Sequence, residues 1–178
     1  MKSLSLTKAA LLVALAASAQ AALAADGNVN FVGKIIDTPC SVSPNSANLT
    51  VPLGTVAKSS LDGGVGKRST PAKFTIDLMN CSPATGANAT VSFTGTADAS
   101  GNKLRVGVGE VTGTFATGVS IEIADSAGTP INLGASSAAY PLVAGNNSLR
   151  FQASYISTAA AVTVGTGNAV AQFTVAYP

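Results

Sequence analysis

Beyond residue 24 apolar and polar residues alternate in short runs, and no run keeps a helical period long enough to build an amphipathic helix. Gly, Asn, Asp, Ser and Pro interrupt the runs at short intervals, as expected of half-buried strands joined by turns. The spacing predicts strands over residues 29–36, 49–53, 73–80, 90–95, 103–108, 119–124, 147–155 and 169–177. Turns are expected at Asp62-Gly63-Gly64, Ser100-Gly101-Asn102, Ser126-Ala127-Gly128 and Ala144-Gly145-Asn146-Asn147. A chain of this kind is all-β, and many short strands at this spacing point to an immunoglobulin-like β-sandwich. It has no Trp to pack on a disulfide, so an antibody-type domain is excluded.

The first residues have another origin. Lys2 and Lys8 flank a start without acids, an uncharged Ala/Leu/Val run follows, and Ala22-Leu23-Ala24 supplies small residues where a signal peptidase reads. Residues 1–24 are therefore expected to be a secretory signal peptide. Its removal takes away Lys2 and Lys8, which leaves basic and acidic groups in equal number. Neutrality, with no basic cluster longer than Lys67-Arg68, argues against nucleic acid or an anionic membrane as partner.

The chain has no His, which removes the usual general base and the commonest metal ligand together. No cofactor is expected. Cys40 and Cys81 are the only cysteines, and in an exported chain they are expected to form a disulfide. Closing a loop of that length is worth about 4 kcal/mol on the loop-entropy model.

Other motifs lead nowhere. Gly63-Gly-Val-Gly-Lys67-Arg-Ser69 has Leu61 where a phosphate loop needs its first glycine and Arg68 where it needs Ser or Thr, so it reads as a flexible surface loop. Asp98, Glu110, Glu122 and Asp125 sit at turns or alternate strand positions and read as solvated faces rather than as a catalytic pair. The chain is not expected to be an enzyme.

The two ends of the mature chain carry the strongest pattern. Val29, Phe31, Gly33 and Ile35 put large apolar side chains, interrupted by one glycine, on one face of an extended segment. Ala169, Ala171, Phe173, Val175 and Tyr177 alternate at the other end, before Pro178. Two readings are open: first and last strands of an ordinary sandwich, or an amino-terminal strand that serves a neighbouring molecule. The glycine favours the second, since glycine weakens a strand and marks places where something approaches closely.

The stretch Gly27-Asn-Val-Asn-Phe-Val-Gly-Lys-Ile-Ile-Asp-Thr-Pro-Cys-Ser-Val42 resembles the start of the type 1 fimbrial pilins assembled by the chaperone/usher pathway. So do Gly118-Val-Ser-Ile-Glu-Ile-Ala-Asp-Ser-Ala-Gly-Thr-Pro-Ile-Asn-Leu-Gly134, Tyr140-Pro-Leu, Leu149-Arg-Phe-Gln-Ala-Ser-Tyr155, Gly165 and the penultimate Tyr177. The resemblance implies an immunoglobulin-like sandwich that lacks one strand and receives it from the next subunit, a form of strand addition. It implies a donor-strand extension over residues 25–37, with Val29, Phe31, Gly33 and Ile35 as inserted positions, and a pilin domain over 38–178. It implies that Gly165, Ala171, Phe173, Val175, Tyr177 and Pro178 form the groove and chaperone-binding strand. Implied partners are further copies of the chain, a periplasmic chaperone, an outer-membrane usher, minor pilins and a tip adhesin, and the implied destination is a fimbria at the cell surface. A tip adhesin would need a further receptor domain, so a major rod subunit is the expectation. The alternative is a secreted monomeric β-sandwich that binds carbohydrate or protein.

If Gly33 enters a neighbour's groove, Gly33→Leu should abolish incorporation into fibres while the Cys40–Cys81 disulfide still forms. Fibre yield by electron microscopy together with thiol titration checks both halves.

Overall fold

The computed structural model describes residues 27–33, 35, 39–83 and 87–178. The chain divides into two units, Met1–Ile36 and Asp37–Pro178, and every strand belongs to the second. The expected signal peptide, and Lys34 and Ile36 of the expected first strand, lie outside the described residues. Residues 27–33 and 35 are in no strand, and Val29, Phe31, Val32 and Ile35 are 76–100% exposed.

The second unit is a two-sheet sandwich. Its strands are β1 (Ser41–Val42), β2 (Ala72–Cys81), β3 (Asn88–Gly95), β4 (Leu104–Arg105), β5 (Val119–Asp125), β6 (Tyr140–Pro141), β7 (Gly145–Ser157) and β8 (Ala171–Ala176). Five form one sheet in the order β1-β2-β7-β5-β4, and three form the other in the order β6-β3-β8. All the pairings between these strands are antiparallel.

Alternation decides which side chains enter the core. In β2, Phe74, Ile76 and Leu78 point inward, and the register sets Phe74 opposite Phe151 and Ile76 opposite Leu149 of β7. Ile76 and Leu78 are wholly buried, as are Ala89 and Val91 of β3. Aromatic rings tie the two sheets together. Phe93 of β3 stands edge-on to Phe151 at 5.2 Å and to Phe74 at 6.3 Å. Edge-to-face packing of this kind adds about 0.5–1.5 kcal/mol per pair beyond area burial.

Strand β5 is buried on both faces. Ile121 and Ile123 enter the core, while Ser120 and Glu122 on the other face are covered by polar partners. The Ser120 hydroxyl donates to Asp98 at 2.9 Å. Arg68 donates to Glu122 through Nε at 2.6 Å and Nη2 at 3.1 Å, a two-pronged ion pair. Glu122 is thus not on a solvated face as its alternation suggested, because residue 68 bridges onto Ile156 and brings a guanidinium over it. Burial raises the Asp98 carboxyl, and hydrogen bonds from Ser100 and Ser120 outweigh it, so its pKa lies below the ordinary value.

The strands expected over 73–80, 90–95, 119–124, 147–155 and 169–177 are present, 103–108 shrinks to β4, and neither 49–53 nor the described residues of 29–36 form a strand. Two-residue strands β1 and β6 and two single-turn helices, α1 (Pro44–Ala47) and α2 (Lys58–Leu61), are too short to give a period. The Cys40–Cys81 disulfide is formed. The segment 63–69, expected to be a flexible surface loop, is instead tied to β7. Gly66 N–H donates to the Ser157 carbonyl and Lys67 N–H to the Ser157 hydroxyl, both at 2.9 Å.

Leu78→Ala should cost about 2–5 kcal/mol of unfolding free energy, since it empties a fully enclosed site between the sheets. Denaturant melts of the oxidised subunit measure this.

Candidate functional site: an open groove beside the last strand

Strand β8 pairs with β3 through Phe93↔Phe173 and Val91↔Val175. It is last in its sheet, and among the described residues no strand takes its second edge. Its side chains show the consequence. Phe173, Val175 and Tyr177 face the core but are only half-buried, whereas their partners on β3 are almost fully enclosed.

Across from this edge runs the segment 49–54, of which 49–53 is expected from its alternation to be a strand. It is in none. Among the described residues, the backbone of residues 49–56 makes no hydrogen bond to the protein. A strand exists by virtue of a neighbour, and this segment has none. Pro52 also lacks a donor, which suits an edge.

Between segment 49–54 and β8 lies a cavity of about 570 Å³. Its floor is the sandwich core: Phe74, Ile76, Phe93, Leu104, Ile121, Ile123 and Ala153. One wall is residues 49–54 and the other is residues 167–171 with Phe173. The lining has no charged side chain and its walls carry unpaired backbone. Such a site has the shape to accept an extended apolar segment that adds hydrogen bonds along β8.

The residues assigned to this strand by resemblance fall into two groups. Ala171 and Phe173 line the cavity. Val175 and Tyr177 pack on the core further along the strand, and the Tyr177 hydroxyl lies 3.5 Å from the Cys40 carbonyl oxygen. Gly165 is outside the lining. A Cβ there would strike the backbone of Phe115 and Ala116, so its glycine serves a close crossing of two segments. Pro178 is exposed beyond the strand. Of the extension, Val29, Phe31 and Ile35 are exposed, and nothing lies within 4 Å of a Cβ built on Gly33.

Two contributors were not evident from sequence. Residues 49–53 read as an ordinary strand, although the Pro inside the run is a mark against pairing on both sides. Tyr155 supports the wall: its hydroxyl donates to the Gly167 carbonyl at 3.0 Å, and burial raises its pKa. A Cβ on Gly167 would sit 2.6 Å from that hydroxyl, so the glycine lets the ring approach.

A family model described as fimbrial protein matches residues 29–178. The chain is 41% identical to a probable major fimbrial subunit, LpfA, of Escherichia coli O157:H7, over 88% of this chain and 86% of that one. It is 40% identical to the fimbria A protein of Serratia marcescens, over 89% and 88%. Among solved structures, the P pilus rod subunit PapA is similar at 29% identity and a TM-score of 0.65, over 79% of this chain and 100% of that one. A subunit of a chaperone–usher pilus studied for rod uncoiling is similar at 29% identity and a TM-score of 0.68, over 86% and 96%.

Tyr155→Phe removes the bond to Gly167 and should destabilise the free subunit by about 1 kcal/mol, a fall of roughly 2–4 °C in Tm. Differential scanning calorimetry reads the shift.

Proposed function

Because the chain belongs to the fimbrial protein family and is a structural pilus subunit, we propose that its groove is filled by residues 25–37 of the next copy, which makes the chain a self-polymerising rod subunit. The observation that carries this is the pairing of an uncovered apolar groove in one unit with an uncovered apolar segment in the other. Val29, Phe31 and Ile35 supply the apolar side chains that the groove lacks, and Gly33 supplies a position without one. In this reading residues 1–24 are a signal peptide and 38–178 the pilin domain, with the fibre at the cell surface.

The same exposed edge explains the need for escort. An open strand edge with an apolar patch invites aggregation, so a periplasmic chaperone would lend a strand to β8, held near Tyr177 and Pro178, until an outer-membrane usher delivers the subunit. Minor pilins and a tip adhesin would use the same exchange. Once filled, the groove encloses its strand between two sheets, and the strand leaves only if the sandwich opens. The fibre then persists by slow unfolding as much as by affinity. No catalytic role is assigned.

A self-contained binding module would have no use for an added strand. A synthetic peptide of residues 25–37 should therefore raise the Tm of the oxidised subunit; at a hundredfold excess over Kd the gain is about 2.7 kcal/mol. An equal melting temperature with and without peptide would favour the monomeric module.

A further inference from the structure

The ladder that positions β8 does not reach the whole of the groove wall. Strand β3 pairs with β8 from Ala171 to Ala176, with Gly95 opposite Ala171, whereas the wall begins at Gly167. Residues 167–170 therefore project past the last rung, and a second set of bonds holds them. The Tyr155 hydroxyl donates to the Gly167 carbonyl at 3.0 Å. The loop 107–116 supplies two more, Gly107 N–H to the Asn168 carbonyl at 2.9 Å and Ala116 N–H to the Thr166 carbonyl at 2.8 Å. Glycine is required at 107, where φ is +73° and a Cβ would strike the Phe115 ring.

One side chain completes the clamp. Glu110 Oε2 accepts a hydrogen bond from the Thr166 hydroxyl, and Oε1 accepts one from the Asn168 amide at 3.1 Å. Glu110 is the single charged residue within 106–118 and 158–170, and among the described residues it forms no ion pair. A carboxylate is held here by neutral donors, and hydrogen bonds to an ionised acceptor are roughly twice as strong as those between neutral groups. Both of its oxygens go to one three-residue stretch at the start of the wall. Glu110 is outside the cavity lining, whereas Asn168 lines both the cavity and a smaller hollow of about 120 Å³ next to it. Asn168 thus stands on the partition between the two, with its amide tethered to a residue outside the groove.

The consequence rests on the donor-strand reading. A segment laid along β8 has to clear residues 167–170 to fill the cavity that they wall. In the empty subunit, among the described residues, no strand lies on the groove side of that stretch, so its shape depends on the bonds from Tyr155 and the loop. Asn168 is exposed. Released from Glu110, its amide is free to change rotamer and turn across the opening; tethered, it leaves the opening clear. Once a segment is in place its own hydrogen bonds hold the wall, and the tether no longer matters. Glu110 therefore acts on entry rather than on retention.

We propose that Glu110 is a positioning residue for strand insertion: it holds the Asn168 amide out of the groove and so sets how fast a donor segment enters. The test measures association and dissociation rates of a labelled 25–37 peptide on the oxidised subunit by stopped-flow fluorescence. Glu110→Ala should slow association roughly threefold to tenfold, as loss of one hydrogen-bonded tether allows, and leave dissociation unchanged. Glu110→Gln, which keeps an acceptor for the Asn168 amide, should restore most of the rate. Asn168→Ala removes the obstructing amide, so in that background Glu110→Ala should have no further effect. Unchanged association in Glu110→Ala overturns the proposal, and so does an equal slowing with and without the Asn168 side chain. Leu78→Ala, which lowers stability without touching the wall, should leave association as it is; an equal slowing there makes the Glu110 effect one of stability and overturns the proposal too. No binding of the peptide to the unaltered subunit would instead remove the donor-strand reading beneath it.

Discussion

The structure is organised around a hydrogen-bond deficit. Backbone N–H and C=O groups need partners, and a strand with one neighbour satisfies only half of its own. Strand β8 is in that position, and the segment across from it, residues 49–54, has no backbone partner among the described residues. The side-chain deficit follows from the backbone one. Along the groove Phe74 and Phe173 are half-covered, whereas Phe93 and Phe151 are closed in. The same deficit makes the groove specific for an extended segment, because only such a segment offers hydrogen bonds and alternating side chains together.

The rest of the domain holds the gap open. A sandwich missing a strand could close by sliding its sheets together, and the Phe74, Phe93 and Phe151 rings resist this by bridging the sheets beneath the groove. On the outer face of the larger sheet, Arg68 over Glu122 and Asp98 over Ser120 hold β5. Tyr155 fixes the wall at Gly167. The polar network and the aromatic cluster therefore serve one end, a rigid frame around an unfilled slot.

Much of this was legible in the chain. The strands that pair along their length, β2, β3, β5 and β7, have inward side chains set by a period of two, and the alternation located each of them. Glu122 misled because alternation gives the face a side chain takes but not what later covers that face; the covering Arg68 comes from far along the sequence. The segments at 29–36 and 49–53 carry the pattern of strands, but 49–53 and the described residues of 29–36 are in none. A strand pattern records a demand for a partner, and a single chain does not reveal whether the partner is its own. Gly165 was assigned to the groove on family resemblance and instead serves a backbone crossing at Phe115.

The disulfide closes a loop that contains the whole of one groove wall. Cys40 lies just past the point where the chain enters the domain, Cys81 ends β2, and residues 49–54 fall between them. A pull applied at Pro39 therefore crosses the sulfur bridge directly to the end of a ten-residue strand anchored along β7. It does not run through β1 and the unpaired wall, which would peel away one residue at a time. Mechanical load that enters through a subunit's own amino-terminal segment is thereby kept off its groove wall.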